Sequence, residues 1–272
     1  MKLQFQTVIR SVMEELLEQL LISASSRKNA DVTISNPIQT VLLPDEIFKF
    51  SNFEKIVEYS FSGIWEKLAV VAANTGLGYG AVGHRIDGTI KAERLRRITE
   101  ILNRLEHAAQ GEKRIRPNWN AELAYILEGN GEDIPVSVIC DVYAEDRTNN
   151  KKYAFELKAP LPNSDQSKVS KEKIFKLYCM NPRQVDGAYF ALPYNPYGLR
   201  GNYGWSFPSR WFNMREDEVV LIGDEFWEKV GGTGTYKAFV DAVNEIGPAY
   251  KDRIYKEFLE IEPPLDSGES KL

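Results

Sequence analysis

Asp141, Glu156 and Lys158 are the residues whose types and spacing point most directly to chemistry. Asp141 lies in a β-branched run, PVSVICDVYAED (135–146), and the other two lie in a second run, KKYAFELKA (151–159). Arg147-Thr148-Asn149-Asn150 stands between the runs, a polar connection of the kind that joins hairpin strands. With Asp146 opposite Lys151, Asp141 falls directly across from Glu156, and Lys158 shares their face two residues on. A slip of one residue would send the acids to opposite faces.

Two carboxylates facing each other repel, and their apolar neighbours exclude the water that would screen them. A divalent cation resolves that conflict. Hard oxygen ligands favour Mg²⁺, with Mn²⁺ as a substitute, and Mg²⁺ takes one or two protein carboxylates while leaving room for substrate phosphate. Lys158 would orient or deprotonate a water, or stabilise charge on phosphorus. This set suits phosphodiester hydrolysis. The plainer reading is a cross-strand Asp141–Lys158 ion pair near the hairpin mouth. Glu122, on a helix ahead of the hairpin, is a candidate third metal carboxylate, against the alternative of an exposed helix acid. Glycoside hydrolysis also uses two carboxylates, but it leaves Lys158 without a role.

Composition narrows the field further. The chain has 272 residues, 43% hydrophobic and 27% charged, an ordinary globular balance. Its two histidines, His84 and His107, do not support a histidine-cluster mechanism and read as surface or capping residues. Its two cysteines, Cys140 and Cys179, exclude a cysteine-based zinc site and a disulfide framework, and suggest a reducing, cytoplasmic setting. The opening segment reads as an amphipathic helix rather than a signal peptide, with Val8, Val12, Leu16 and Leu20 at helical spacing. No apolar run is long enough to span a membrane. The net charge of −5 hides an uneven distribution. Residues 147–183 hold nine Lys or Arg against three acids, and residues 214–272 hold seven against fourteen, a basic centre suited to a polyanion.

The surrounding elements follow from periodicity. Helices are expected at 1–23, at about 53–73 and at 91–108, so residues 1–112 read as a mainly helical region for DNA contact or dimerisation. GLGYGAVG (76–83) reads as a loop within it; its glycines match a dinucleotide fingerprint literally but follow a helix instead of a strand. Residues 113–262 read as an α/β core with a mixed central sheet flanked by helices. It comprises a helix at 117–127, the hairpin, a helix capped near Asn163 and running to about Met180, and strands GAYFALPY and EVVLIG. A short helix at Phe226–Trp227 and helices at 236–246 and 250–259 follow. Residues 263–272 read as a disordered tail. Tyr203, Trp205 and Trp211, near Arg200 and Arg210, fit core positions better than DNA stacking.

Asp141, a spacer, and then Glu156-x-Lys158, between two helices, resemble the PD-(D/E)XK nuclease motif, although Cys140 stands where that motif has proline. The blocks PNWNAELAYIL (117–127), FELKAPLPNSDQSKVSKEKIF (155–175), YFALPYNPYG (189–198) and LIGDEFWEKVGGTGTY (221–236) resemble the TdeIII/MjaII group of type II restriction endonucleases, and SGIWEKLA (62–69) is similar to its N-terminal part. The likeness covers most of residues 50–240. It implies a restriction-endonuclease-like fold and Mg²⁺-dependent cleavage of double-stranded DNA at a short palindrome, GGNCC being the site usual in that group. It also implies a homodimer and a cognate DNA methyltransferase as genetic partner. By position Asp141 and Glu156 would bind metal, Lys158 would be the catalytic lysine, and Asn163, Gln166, Lys168 and Lys171 would reach DNA. A structure-specific repair or recombination nuclease and a catalytically inactive DNA-binding protein are the alternatives.

Overall fold

The computed structural model describes residues 2–28, 63–107, 115–259 and 261–263. Along the chain these form α1 (Lys2–Lys28), α2 (63–76), β1 (Gly78–Lys91), α3 (Ala92–Glu106) and α4 (Trp119–Leu127). Then come β2 (Asp133–Asp146), β3 (Lys151–Leu157), α5 (Ser164–Cys179), β4 (Gly187–Leu192), β5 (Val220–Ile222), α6 (Asp224–Gly231) and α7 (Thr235–Arg253).

The β2–β3 hairpin takes the register that its turn dictates, with Asp146 opposite Lys151 and Val142 opposite Phe155. The Asp146 carboxylate accepts hydrogen bonds from the backbone N–H groups of Thr148 and Asn149 at 3.1 and 3.0 Å. Asn150 closes the turn at φ 53°, a left-handed conformation that Asn tolerates better than most side chains. The five-stranded sheet has the order β1-β2-β3-β4-β5, antiparallel across β1–β2–β3 and parallel across β3–β4–β5. This is a mixed α/β fold with helices packed on the sheet. Its core joins Ile86, Val138 and Phe190 from the strands to Leu102, Trp119, Ile174 and Phe175 from α3, α4 and α5.

The strand β1 corrects the reading of residues 76–83 as loop. The glycines there serve close packing. A Cβ on Gly80 would lie 2.7 Å from the Ala73 Cβ and 3.2 Å from the Val70 Cα, so only glycine lets the strand approach α2. Residues 69–236 form one compact unit, and residues 1–68 with 237–272 form another. The expected division at residues 112 and 113 therefore falls inside the sheet-bearing unit.

In the other unit, α1 buries Ile9, Met13 and Leu21, whereas of the expected stripe Val8 is exposed, Val12 is half-buried, and the side chains of Leu16 and Leu20 lie outside those described. The helix α7 runs on through Pro248, where a break between helices at 236–246 and 250–259 was expected, and passes into a π-helical turn at Ile254–Leu259. Of the helix expected at 53–73, residues 63–73 are helical and 53–62 lie outside the described residues, as do 264–272 of the expected tail.

Candidate active site

Asp141 and Glu156 sit where the sheet opens. The β2–β3 ladder ends at Val142–Phe155, and the two acids occupy the next position. From there β3 stays with β4, pairing Glu156 with Phe190 and Leu157 with Ala191, and the Lys158 N–H extends the ladder to the Ala191 carbonyl at 3.0 Å. On the other side β1 pairs Val82 with Val142 and His84 with Cys140, but the ladder skips Gly83, whose φ is 62°. Asp141 thus occupies a break in regular pairing on both flanks, with its side chain 20% exposed between the buried Cys140 and Val142.

The Lys158 ammonium joins the acids. It lies 2.5 Å from Asp141 Oδ2 and 3.5 Å from Glu156 Oε2. Glu156 is 1% exposed. Burial and the neighbouring Asp141 charge push its carboxyl up to about 7, against the opposing pull of Lys158 and Lys173. Burial works to lower the Lys158 ammonium, but Glu156 and Asp141 outweigh it and hold the group above its usual value. The Cys140 thiol, buried beside both acids, is pushed up to about 12 and stays protonated. The site therefore holds a desolvated carboxyl poised near neutrality, an acid with access to solvent, and a lysine that remains charged.

Lys173 and Ser170 complete this cluster, and no motif pointed to them. Lys173 Nζ covers both Glu156 oxygens at 3.0 and 3.1 Å, and the Ser170 hydroxyl donates to Oε2 at 3.5 Å. Their one sequence signal is the three-residue spacing that places both on one face of α5.

The other expected site residues are engaged elsewhere. Glu122 does not join Asp141 and Glu156: it is buried and bonded to Lys171 at 2.5 Å, and it also accepts from the Asn118 backbone N–H at 3.1 Å. Among the described residues, no group of three or more His, Cys, Asp or Glu comes together as a metal cage. Lys171 is no DNA contact in this structure. It is fully buried, donates to the Trp211 carbonyl, and lies among the rings of Trp119, Phe175 and Phe212. Burial drives its ammonium below the usual value, with Glu122 pulling the other way.

Asn163 and Gln166 form a reciprocal capping box at the start of α5, each side chain bonding the other's backbone N–H. Lys168 pairs with Glu106 at 2.5 Å and lies over the Trp211 ring. Lys176 pairs with Glu172 at 2.6 Å. The lysines of α5 are thus all held by carboxylates, Lys168, Lys171 and Lys173 by acids distant in sequence and Lys176 by Glu172 one turn away.

Both histidines take the modest roles expected of them. His84 stacks on Tyr143 at 4.1 Å, and His107 ends α3. Trp211 and Tyr203 are buried in the core, and the Trp205 indole donates to the Pro162 carbonyl at 2.9 Å. None of the helices among the described residues is long and apolar enough to cross a membrane.

The sequence of this chain is similar to those of known nucleases. The family model described as "Type II restriction endonuclease, HinfI" matches residues 1–247. The type II restriction enzyme HgiBI of Herpetosiphon aurantiacus is 22% identical over 247 residues, covering 87% of this chain and 85% of its own. HgiEI of the same organism is 23% identical over 234 residues, covering 82% and 81%. HgiCII, also from that organism, is 24% identical over 247 residues, again covering 82% and 81%. The match carries the HinfI description and not that of the TdeIII/MjaII group, while agreeing with the broader class that the sequence blocks imply.

Proposed function

Because the chain belongs to the HinfI family of type II restriction endonucleases, we propose that it hydrolyses phosphodiester bonds of double-stranded DNA at a short palindromic site, with Asp141, Glu156 and Lys158 as a PD-(D/E)XK centre. The observation that carries this reading is the Lys158 ammonium within 3.5 Å of carboxylates from two strands, at the point where those strands part. The sheet supports it, with an antiparallel hairpin leading into a parallel pair and α5 following. The TdeIII/MjaII-like blocks make GGNCC the first sequence to examine.

Asp141 and Glu156 fit Mg²⁺, with Mn²⁺ as substitute. Both are hard oxygen donors, one is too desolvated to carry its charge comfortably near neutral pH, and an ion that keeps several waters needs no third protein ligand. Such a cation would supply positive charge that polarises a phosphoryl oxygen and lowers the pKa of a water. Glu156, shielded from solvent beneath the strand opening, would define one end of the site, and Asp141 the accessible end. Lys158 is held in its charged form by both acids, so its role is electrostatic: it would orient the attacking water and stabilise charge on the phosphoryl oxygens as the P–O bond breaks. A palindromic site calls for two copies of the centre, hence a homodimer cutting one strand per subunit, with a cognate methyltransferase protecting host DNA.

Digestion of unmethylated DNA of known sequence, with and without Mg²⁺ and with every new end sequenced, tests this directly. Discrete Mg²⁺-dependent ends sharing one palindrome are expected from the native chain and not from Lys158→Ala. Equal cutting by both proteins would remove Lys158 from the centre, and cutting confined to branched DNA would make this a repair nuclease.

A further inference from the structure

Within the proposed centre, two carboxylates and two ammonium groups balance in charge. A divalent ion cannot simply be added to them, because both Glu156 oxygens already face Lys173 Nζ at 3.0 and 3.1 Å. At 1% exposure, Glu156 has no solvent-facing side from which a further cation could approach. A divalent ion beside Lys158 and Lys173 would be a third cation on one desolvated carboxylate, and the medium would screen their repulsion poorly. One ammonium must leave Glu156 when metal arrives.

Lys158 is the poorer candidate to leave. Its principal bond is to Asp141, and its side chain is 18% exposed against 28% for Lys173. Lys173 also differs from the rest of α5. Lys168, Lys171 and Lys176 pair with Glu106, Glu122 and Glu172, none of which the centre needs. Lys173 alone among them is paired with a carboxylate that the metal would claim.

We propose that Lys173 is a counter-ion gate: it neutralises Glu156 in the metal-free protein, and on metal entry its released ammonium contacts the DNA phosphate backbone beside the cleavage point. This inference rests on the reading of Glu156 as a metal ligand. It assigns Lys173 as a positioning residue with two partners in succession. Metal occupancy and DNA contact are thereby coupled, because the lysine becomes available to phosphate only once Glu156 is taken.

The test is a calorimetric titration of the full chain with Mn²⁺ in the absence of DNA, comparing native protein with Lys173→Met, Lys173→Arg and Glu156→Gln. Lys173→Met is expected to bind Mn²⁺ at least about tenfold more tightly, since no ammonium need be displaced. Lys173→Arg keeps the charge and should retain near-native affinity. In Ca²⁺, with a duplex carrying the site found by digestion, Lys173→Met should weaken binding and lower the salt slope by about 0.9, one phosphate contact.

Equal or weaker Mn²⁺ binding by Lys173→Met would overturn the gate, as a merely structural lysine would give no gain. An unchanged salt slope would overturn the phosphate step. If Glu156→Gln binds Mn²⁺ as the native chain does, or the native chain binds none, the metal-ligand reading itself fails. That outcome is distinct from a gate failure, in which Glu156→Gln loses Mn²⁺ while Lys173→Met gains nothing.

Discussion

Glu156 and Glu122 are both buried glutamates facing a lysine of α5, yet they occupy opposite electrostatic situations. Glu122 bonds Lys171, with the buried Asp217 adding a further acid nearby, the Trp211 carbonyl taking another ammonium proton and aromatic rings closing the walls. That group is buried in the core. Glu156 shares its surroundings with Asp141, Lys158 and Lys173 at a place where two strands separate. The lysines respond in opposite directions: burial prevails at Lys171 and lowers its pKa, whereas at Lys158 two nearby acids overcome burial and raise it. A buried ion pair is therefore no sign of catalysis by itself. The site is marked by an acid with access to solvent at the point where two strands part.

The sharpest way to break this comparison is to remove one lysine from each region. Lys158→Ala should reduce DNA cleavage by about a thousandfold or more while leaving thermal unfolding close to native, measured by single-turnover digestion and calorimetry. Lys171→Met should do the reverse. With Glu122 left buried and unpaired, it should cost about 3–5 kcal/mol in urea unfolding yet leave Mn²⁺ affinity unchanged once folded protein is selected. Loss of Mn²⁺ binding in folded Lys171→Met would merge the two regions into one site.

A smaller effect separates the regions by pH. The Glu156 carboxyl titrates near 7 in the folded chain, against an ordinary value of 4.5. The folded state then binds the extra proton between those values, so metal-free stability contributed by this group is greatest below 4.5, falls as pH rises to about 7, and is level above. Metal binding needs the ionised form, so apparent Mn²⁺ affinity should climb by up to tenfold per pH unit below about 7 and then plateau. A flat Mn²⁺ profile between pH 5 and 7 would contradict the raised carboxyl. Smallest is Asn163→Ala, which removes the cap of the helix carrying the lysines of both regions. It should cost about 1 kcal/mol of stability, and a specific loss of DNA affinity without that cost would restore Asn163 as a DNA contact.

The comparison also shows where sequence reading succeeds. The Arg147–Asn150 turn sets a unique register, and strand periodicity then places Asp141, Glu156 and Lys158 on one face with no tertiary information. The start of α5 was equally legible, since Asn163 and Gln166 form a local capping box. The same two residues are the ones expected to reach DNA, and their side chains bond each other's backbone at the helix start. Strand β1 does not read as a strand because Gly80 answers to α2, a partner that no local pattern reveals.

By itself the sequence determined what depends on neighbours along the chain: the hairpin register, the triad on its face, the cap of α5, and blocks similar to type II restriction endonucleases. Only the tertiary structure decided which lysine meets which acid. Lys171 and Lys173 are two residues apart on one helix, yet Lys171 points into the aromatic core to Glu122, 49 residues away in sequence, and Lys173 points to the strand opening and Glu156. A helix turns by about 100° per residue, so adjacent charges are sent to different faces. What each face meets is set by the packing of α5 between α4 and the sheet, and burial there decides whether a charge is sealed into the core or left able to exchange its partner.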